Sequence, residues 1–269
     1  MPELAEVQTV RDVLKKQILN KKIKDIKILY SGIIETDLNA FKKDLINQEF
    51  IDIQRKGKYL IFETESRYLV SHLRMEGKYF IKPSNEEYTK HEHVIFTFEE
   101  FDLRYHDTRK FGKMALINKN QINDYFDHIG PDANDDVDPQ YLYEKLKNKK
   151  SPLKTLLLDQ SIIAGLGNIY ADEVLYAAKL NPLENGCNTT ISDAKNILKA
   201  SKNILDKAII NKGTTIRSYT SSLNVQGNYQ NYLKVHTKDG QKCECGEMIL
   251  RNKVGGRSTY YCPNCQRLK

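Results

Sequence analysis

Gly165-Leu166-Gly167-Asn168-Ile169-Tyr170-Ala171-Asp172-Glu173 joins an apolar helical segment at 152–160 to a second one at 168–179. Two glycines permit a tight turn, and the helix that follows presents N–H groups left over from its first turn to a phosphate. Asn168 is placed to cap that helix and to donate to a phosphate oxygen. A purely structural helix–turn–helix fits the same residues. Helical spacing extends outward to 139–147 and to 191–211, where Ala194, Ile197, Leu198, Ile204, Leu205 and Ile209 recur every three to four positions. Residues 212–232 hold Gly213, Thr214, Thr215 and a polar run near 221–230, which reads as a loop.

Upstream of Gly130-Pro131 the period changes. Leu4, Val7, Val10, Leu14 and Ile18 predict an amphipathic helix over 4–19. Segments near 23–30, 50–64, 68–75, 93–98, 102–106 and 113–117 are short, rich in Ile, Val, Phe and Tyr, and broken by glycine and polar clusters. That is the pattern of antiparallel strands, so a first domain of about 1–130 pairs one helix with a β-sandwich or barrel.

The chain has 269 residues and 31.1 kDa, enough for about two domains. No apolar run approaches the roughly 20 residues of a membrane span, and acids follow Met1 where a signal peptide would be basic. A cytoplasmic protein is expected. Net charge is +7; residues 231–269 carry eight Lys or Arg against three Asp or Glu, net +5. That balance suits a polyanion and equally a solvated face. Four of the five cysteines fall in the same tail, as Cys243-x-Cys245 and Cys262-x-x-Cys265. Without an export signal, a tetrahedral zinc site is favoured over disulfides, with unliganded or redox-active thiols as the alternative. The first pair is one residue short of the usual knuckle.

Pro2 would become the N-terminus if Met1 were removed, as a secondary amine that can attack a sugar C1′. Glu3 and Glu6 follow within one helical turn. A plain helix start explains Pro-Glu equally well. Tyr105-His-Asp-Thr-Arg109-Lys-Phe111-Gly112 places a guanidinium and a ring where they could enter a base stack; an ordinary strand–turn with one core Phe is the alternative.

Together these stretches resemble the bacterial formamidopyrimidine-DNA glycosylase family. The resemblance is carried by Pro2-Glu3-Leu4-Ala5-Glu6-Val7, Arg55-Lys-Gly-Lys58-Tyr-Leu, His72-Leu-Arg-Met75-Glu76-Gly77 and Lys90-His91-Glu-His93. It continues through Asp107-Thr-Arg109-Lys-Phe111-Gly112, Leu156-Leu-Leu-Asp159-Gln160, Gly165–Glu173, Gly213-Thr-Thr and Gly256-Arg257-Ser-Thr-Tyr-Tyr-Cys262-Pro-Asn-Cys265. It implies an α+β fold: an N-terminal helix with an antiparallel β-sandwich domain (1–130), a helix-two-turn-helix DNA-binding domain with a lesion-recognition loop (131–232), and a zinc-finger hairpin (233–269). The implied activity is excision of oxidised purines, 8-oxoguanine and formamidopyrimidines, followed by β,δ-elimination.

By the same resemblance, Pro2 is the Schiff-base nucleophile and Glu3 its acid/base partner. Lys58 assists β-elimination, and Arg257 serves δ-elimination and phosphate binding. Met75, Arg109 and Phe111 fill the void left by the extruded base, while His72, His91, Lys149 and Asn168 contact the backbone. Glu76 and the loop Ile216, Arg217, Ser218 and Tyr219 form the base pocket. Cys243, Cys245, Cys262 and Cys265 would hold one structural Zn²⁺. The expected partner is double-stranded DNA with oxidised bases or abasic sites, bound by a monomer associated with the nucleoid and not with a membrane.

Four departures stand out: Ala5 for proline, Gln8 for an acid, His236 for a phosphate-touching tyrosine, and the short Cys243-x-Cys245 knuckle. Two alternatives remain, an endonuclease VIII-like enzyme for oxidised pyrimidines and a catalytically silent binder of damaged DNA. Leu4 after Pro-Glu and the Met75/Arg109/Phe111 set argue against the first.

Overall fold

The computed structural model describes residues 1–214 and 226–269; the expected base-pocket residues Ile216, Arg217, Ser218 and Tyr219 lie outside them. The chain forms two compact units. One comprises Met1–Pro2, Glu6–Asp127 and Lys212–Asn228, the other Glu3–Ala5, His128–Asn211 and Tyr229–Lys269. Each unit draws on separate stretches of the sequence. The cause is local: the Leu4 N–H bonds Gly165 O at 3.1 Å, whereas Glu6 bonds Thr214.

In the first unit, α1 (Leu4–Ile18) is followed by β1 (Asp25–Ile28), α2 (Leu38–Leu45), β2 (Asp52–Lys56), β3 (Tyr59–Glu63), β4 (Arg67–His72), β5 (Lys78–Lys82), β6 (Glu92–Thr97), β7 (Asp102–His106), β8 (Lys113–Asn118) and the short α3 (Ile122–Phe126). The strands form two antiparallel sheets, ordered β1-β6-β7-β5 and β2-β3-β4-β8. Ile26, Tyr79, Phe96 and Tyr105 from one sheet share a core with Ile53, Phe62, Leu69 and Met114 from the other. Val7, Val10, Leu14 and Ile18 of α1 enter the same core at the expected spacing, each contributing roughly 1.5–3 kcal/mol. Here the expected helix-plus-sandwich is present. The segment over 50–64, broken by Gly57 as its sequence predicts, is the hairpin β2–β3, with Gly57 at φ +53 in its turn.

In the second unit, α4 (Pro139–Leu146), α5 (Leu153–Leu157), α6 (Asn168–Ala177) and α7 (Ile191–Ile210) are followed by the hairpin β9 (Leu250–Val254) and β10 (Arg257–Tyr261). Thr190 and Asp193 cap α7 reciprocally, Asp193 N to Thr190 Oγ1 at 3.2 Å and Thr190 N to Asp193 Oδ2 at 2.8 Å. Among the described residues no helix is long and apolar enough to cross a membrane.

Candidate active site and nucleic-acid interface

Glu3 is 2% exposed, and its carboxylate is clamped on the start of α6. It accepts from Gly167 N at 2.7 Å, Ile169 N at 2.9 Å and Tyr170 N at 3.3 Å. The helix's positive end reinforces this placement. Gly167 is required because a Cβ there would lie 2.3 Å from Glu3 Cδ. The glycine turn is therefore a socket for Glu3, which engages the Ile169 and Tyr170 N–H groups that the sequence offered to phosphate. Asn168 is not the cap either. It is the first residue of α6, and its Nδ2 donates to Ser258 O at 3.0 Å. Pro2, bonded to Glu3, is buried, and Met1 is exposed.

Ser258 O also accepts from Lys154 Nζ at 2.8 Å. Lys154 is fully buried and pairs with Asp172 at 2.7 Å; burial holds its ammonium below the usual lysine range despite that pair. Asp172 in turn meets His236 Nδ1 at 2.7 Å. Glu173 accepts the backbone N–H groups of Lys234, Val235 and His236. Arg257 stands exposed beside Ser258, at the start of β10. Lys154 and its carboxylate partner were not picked out from sequence: one lysine in an apolar helix carries no signal of its own. Lys149 is exposed just after α4, where Cys187 N bonds its carbonyl at 2.8 Å.

Cys243, Cys245, Cys262 and Cys265 place their Sγ atoms within 4.8 Å of one another. The pairs Cys243–Cys265 and Cys245–Cys262 are 3.8 and 3.5 Å apart. Those edges suit a tetrahedron with Zn–S bonds near 2.3 Å, so the short knuckle closes the set. Cys187 is exposed and outside it.

In the first unit, Asp107 folds the loop that carries Arg109 and Phe111. Its carboxylate accepts from Arg109 N at 2.9 Å, Phe111 N at 2.9 Å and Gly112 N at 2.8 Å. Phe111 is 49% exposed, with the Arg109 guanidinium 4.6 Å from its ring centre; it is not a core residue. A Cβ at Gly112 would lie 1.6 Å from Tyr105 Oη, and one at Gly77 2.2 Å from it. Tyr105 therefore packs against both glycine turns that bear Met75 and Phe111. Met75 and Glu76 are half-buried, and Thr108 Oγ1 donates to Glu76.

Lys58 is 5% exposed and His72 8%. The His72 ring is held neutral: burial, then the Arg74 and Lys58 charges, push it down to about 3. Its Nδ1 accepts from Arg74 N at 2.9 Å. Half-buried His91 is tied to the Arg109–Phe111 loop through its carbonyl, which accepts from Asp107 N at 2.9 Å. Glu6 holds Thr214, accepting from Thr214 N at 2.8 Å and Thr214 Oγ1 at 3.1 Å.

Residues 1–114 match the formamidopyrimidine-DNA glycosylase N-terminal domain, 129–220 its H2TH domain, and 240–268 a zinc finger found in FPG and IleRS. Formamidopyrimidine-DNA glycosylase of Streptococcus pneumoniae R6 is 43% identical over 272 residues, covering 99% of this chain and 99% of that protein. The chain belongs to the formamidopyrimidine-DNA glycosylase family. The Mycoplasma genitalium glycosylase is 42% identical across 100% of this chain and 96% of its own length. Among solved structures, the complex of Lactococcus lactis Fpg with DNA containing an abasic site has TM-score 0.94 and 41% identity, covering 98% of this chain and 99% of that one. A mutant of that glycosylase bound to a Fapy-dG containing DNA superposes equally, with TM-score 0.94.

Within this glycosylase family the cysteine cluster is the structural zinc site, one ion per chain. The other departures are absorbed by packing. Ala5 is fully buried. Gln8 accepts from Arg55 Nε at 2.8 Å and donates to Asp12 at 2.9 Å. His236 is 6% exposed and commits Nδ1 to Asp172, so the phosphate contact expected of this position is not what that nitrogen makes.

Proposed function

We infer that this chain is a base-excision DNA glycosylase and AP lyase, which removes oxidised purines, 8-oxoguanine and formamidopyrimidines, from duplex DNA and then cuts the strand. The observation that carries the reading is Glu3, fixed by three N–H donors at the start of α6 and covalently next to Pro2. With Met1 removed, the Pro2 nitrogen attacks C1′. The C1′–N bond breaks, and the base leaves with the electron pair and takes a proton. Glu3 takes the proton that the Pro2 nitrogen sheds after attack and passes it to O4′ as the C1′–O4′ bond opens, which leaves an iminium between C1′ and Pro2. Loss of the C2′ proton expels the 3′ phosphate, loss of the C4′ proton expels the 5′ phosphate, and water then frees Pro2.

Lys58 serves the first elimination and Arg257 the second. Met75, Arg109 and Phe111 fill the gap in the stack, and Glu76 with Ile216, Arg217, Ser218 and Tyr219 receives the base. His72, His91, Lys149 and Asn168 contact the backbone; His72, being neutral, does so as a dipole. In this reading 1–130, 131–232 and 233–269 are the catalytic, DNA-binding and zinc-hairpin domains. The zinc holds the hairpin in shape; four thiolates leave it no open position for catalysis. The protein acts as a monomer in the cytoplasm, at the nucleoid. Single-turnover excision from duplexes with one 8-oxoguanine, one formamidopyrimidine or one oxidised pyrimidine tests this. The purine lesions should be released fastest; preferential release of the pyrimidine would favour the endonuclease VIII-like alternative.

A further inference from the structure

Arg104, on β7, is fully buried and divides its guanidinium between a loop and two carboxylates of the sheet. Nη1 donates to Glu87 O at 3.2 Å and Glu92 Oε2 at 3.1 Å. Nη2 donates to Pro83 O at 3.0 Å and Glu86 O at 2.7 Å and lies 3.2 Å from Asp102 Oδ2. The Tyr88 ring covers the group at 4.6 Å. Every residue from Pro83 to Lys90 is exposed, so the segment has no apolar anchor of its own. Three of its main-chain carbonyls are gathered by one planar, multi-donor cation, while Ser84 Oγ donates to Asp102 at 3.1 Å and Tyr88 Oη accepts from Lys27 Nζ at 2.9 Å.

Glu92 completes the clamp. Its carboxylate takes Thr89 N at 3.0 Å and Lys82 Nζ at 3.2 Å. Burial opposes its ionisation, yet Thr89, Lys82 and Arg104 together hold it below the usual carboxylate range. The clamped segment ends at His91, whose carbonyl is bonded by Asp107 N. Asp107 is also the residue that folds the Arg109–Phe111 loop, and its own carbonyl meets His93 Nε2 at 2.7 Å.

We propose that Arg104 is a positioning residue for DNA binding: it fixes segment 83–90 and thereby sets the His91 ring where it meets a DNA phosphate. The proposal rests on the reading of His91 as a backbone contact. Arg104→Lys keeps a charge beside Glu92 and Asp102 but reaches fewer carbonyls. It should weaken binding to an abasic-analogue duplex about fivefold, the effect of one hydrogen bond. His91→Ala should do the same, and the double variant should bind no more weakly than either single one. Amide exchange over 84–90 should quicken in Arg104→Lys. Tyr88→Ala, which leaves the buried charges paired, covers the case in which the lysine variant fails to fold; its smaller loss should vanish in the His91→Ala background. A merely structural arginine would lower the active fraction without this coupling. Losses that multiply to about 25-fold in the double variant, or full affinity in Arg104→Lys with a weakened His91→Ala, overturn the proposal alone. Undiminished affinity in His91→Ala overturns the reading of His91 and the proposal with it.

Discussion

His72 shows how burial sets the charge of a single side chain. Its folded ring titrates near 3 against 6.5 for an ordinary histidine. Between those values the unfolded chain binds a proton that the native ring refuses, so stability falls as pH falls below about 6.5, by up to about 1.4 kcal/mol per unit. His72→Asn keeps an acceptor for Arg74 N–H and removes the titration. In urea unfolding, the wild type should lose about 2 kcal/mol more than the variant between pH 7 and pH 5; equal losses would contradict a neutral buried ring. Phe111 is the opposite case, a large ring held in solvent. Phe111→Ala should slow excision from intact duplex far more than cutting at a preformed abasic site, because only the former must offset unstacking of a base. Single-turnover rates on the two substrates check this, and equal slowing would leave the ring no wedge function. The suitability of Arg109 and Phe111 for a base stack was legible from residue type. Their exposure was not, because it depends on Asp107 gathering three N–H groups.

At the scale of elements, α1 and the sandwich strands were legible because their apolar residues keep a clean period. β5, Lys78-Tyr-Phe-Ile-Lys82, was missed because it is bounded by charges and half-buried along most of its length. α2 was missed because only Phe41 and Leu45 of its eight residues are buried. The Glu3 socket was unreadable for a different reason. Glu3 and Gly167 are 164 residues apart, and a helix N-terminus satisfied by a distant carboxylate looks the same in sequence as an open one. Two predictions belong here. Lys154→Met leaves Asp172 buried beside a neutral side chain and should cost about 3–5 kcal/mol, seen as a lower midpoint in denaturant unfolding; an unchanged midpoint would mean the pair adds nothing. Cys262→Ser should abolish stoichiometric zinc and weaken DNA binding, because the metal's binding energy is largely the hairpin's folding energy. Amide exchange of β2–β4 should stay as in wild type. Zinc retained at one per chain would contradict the four-thiolate set.

For the molecule as a whole, the charge of the tail suited a polyanion and a solvated face equally, and the family pattern supplied the DNA. The division into units was not legible. The chain returns to its own N-terminus twice, Glu3 to Gly167 and Glu6 to Thr214, and such returns leave no mark on local composition. The two acids after Pro2 are fixed by these returns, and in the proposed reaction the Pro2 amine freed by Met1 removal, next to Glu3, is the nucleophile. Borohydride trapping on an 8-oxoguanine duplex tests that most directly, comparing mature protein with a form that retains Met1 and with Pro2→Gly. The mature protein should give a stable covalent protein–DNA adduct through the reduced iminium. Pro2→Gly should trap weakly through its primary amine, and the Met1-retaining form not at all. Full-strength trapping with Met1 retained would contradict the account and place the nucleophile on another residue.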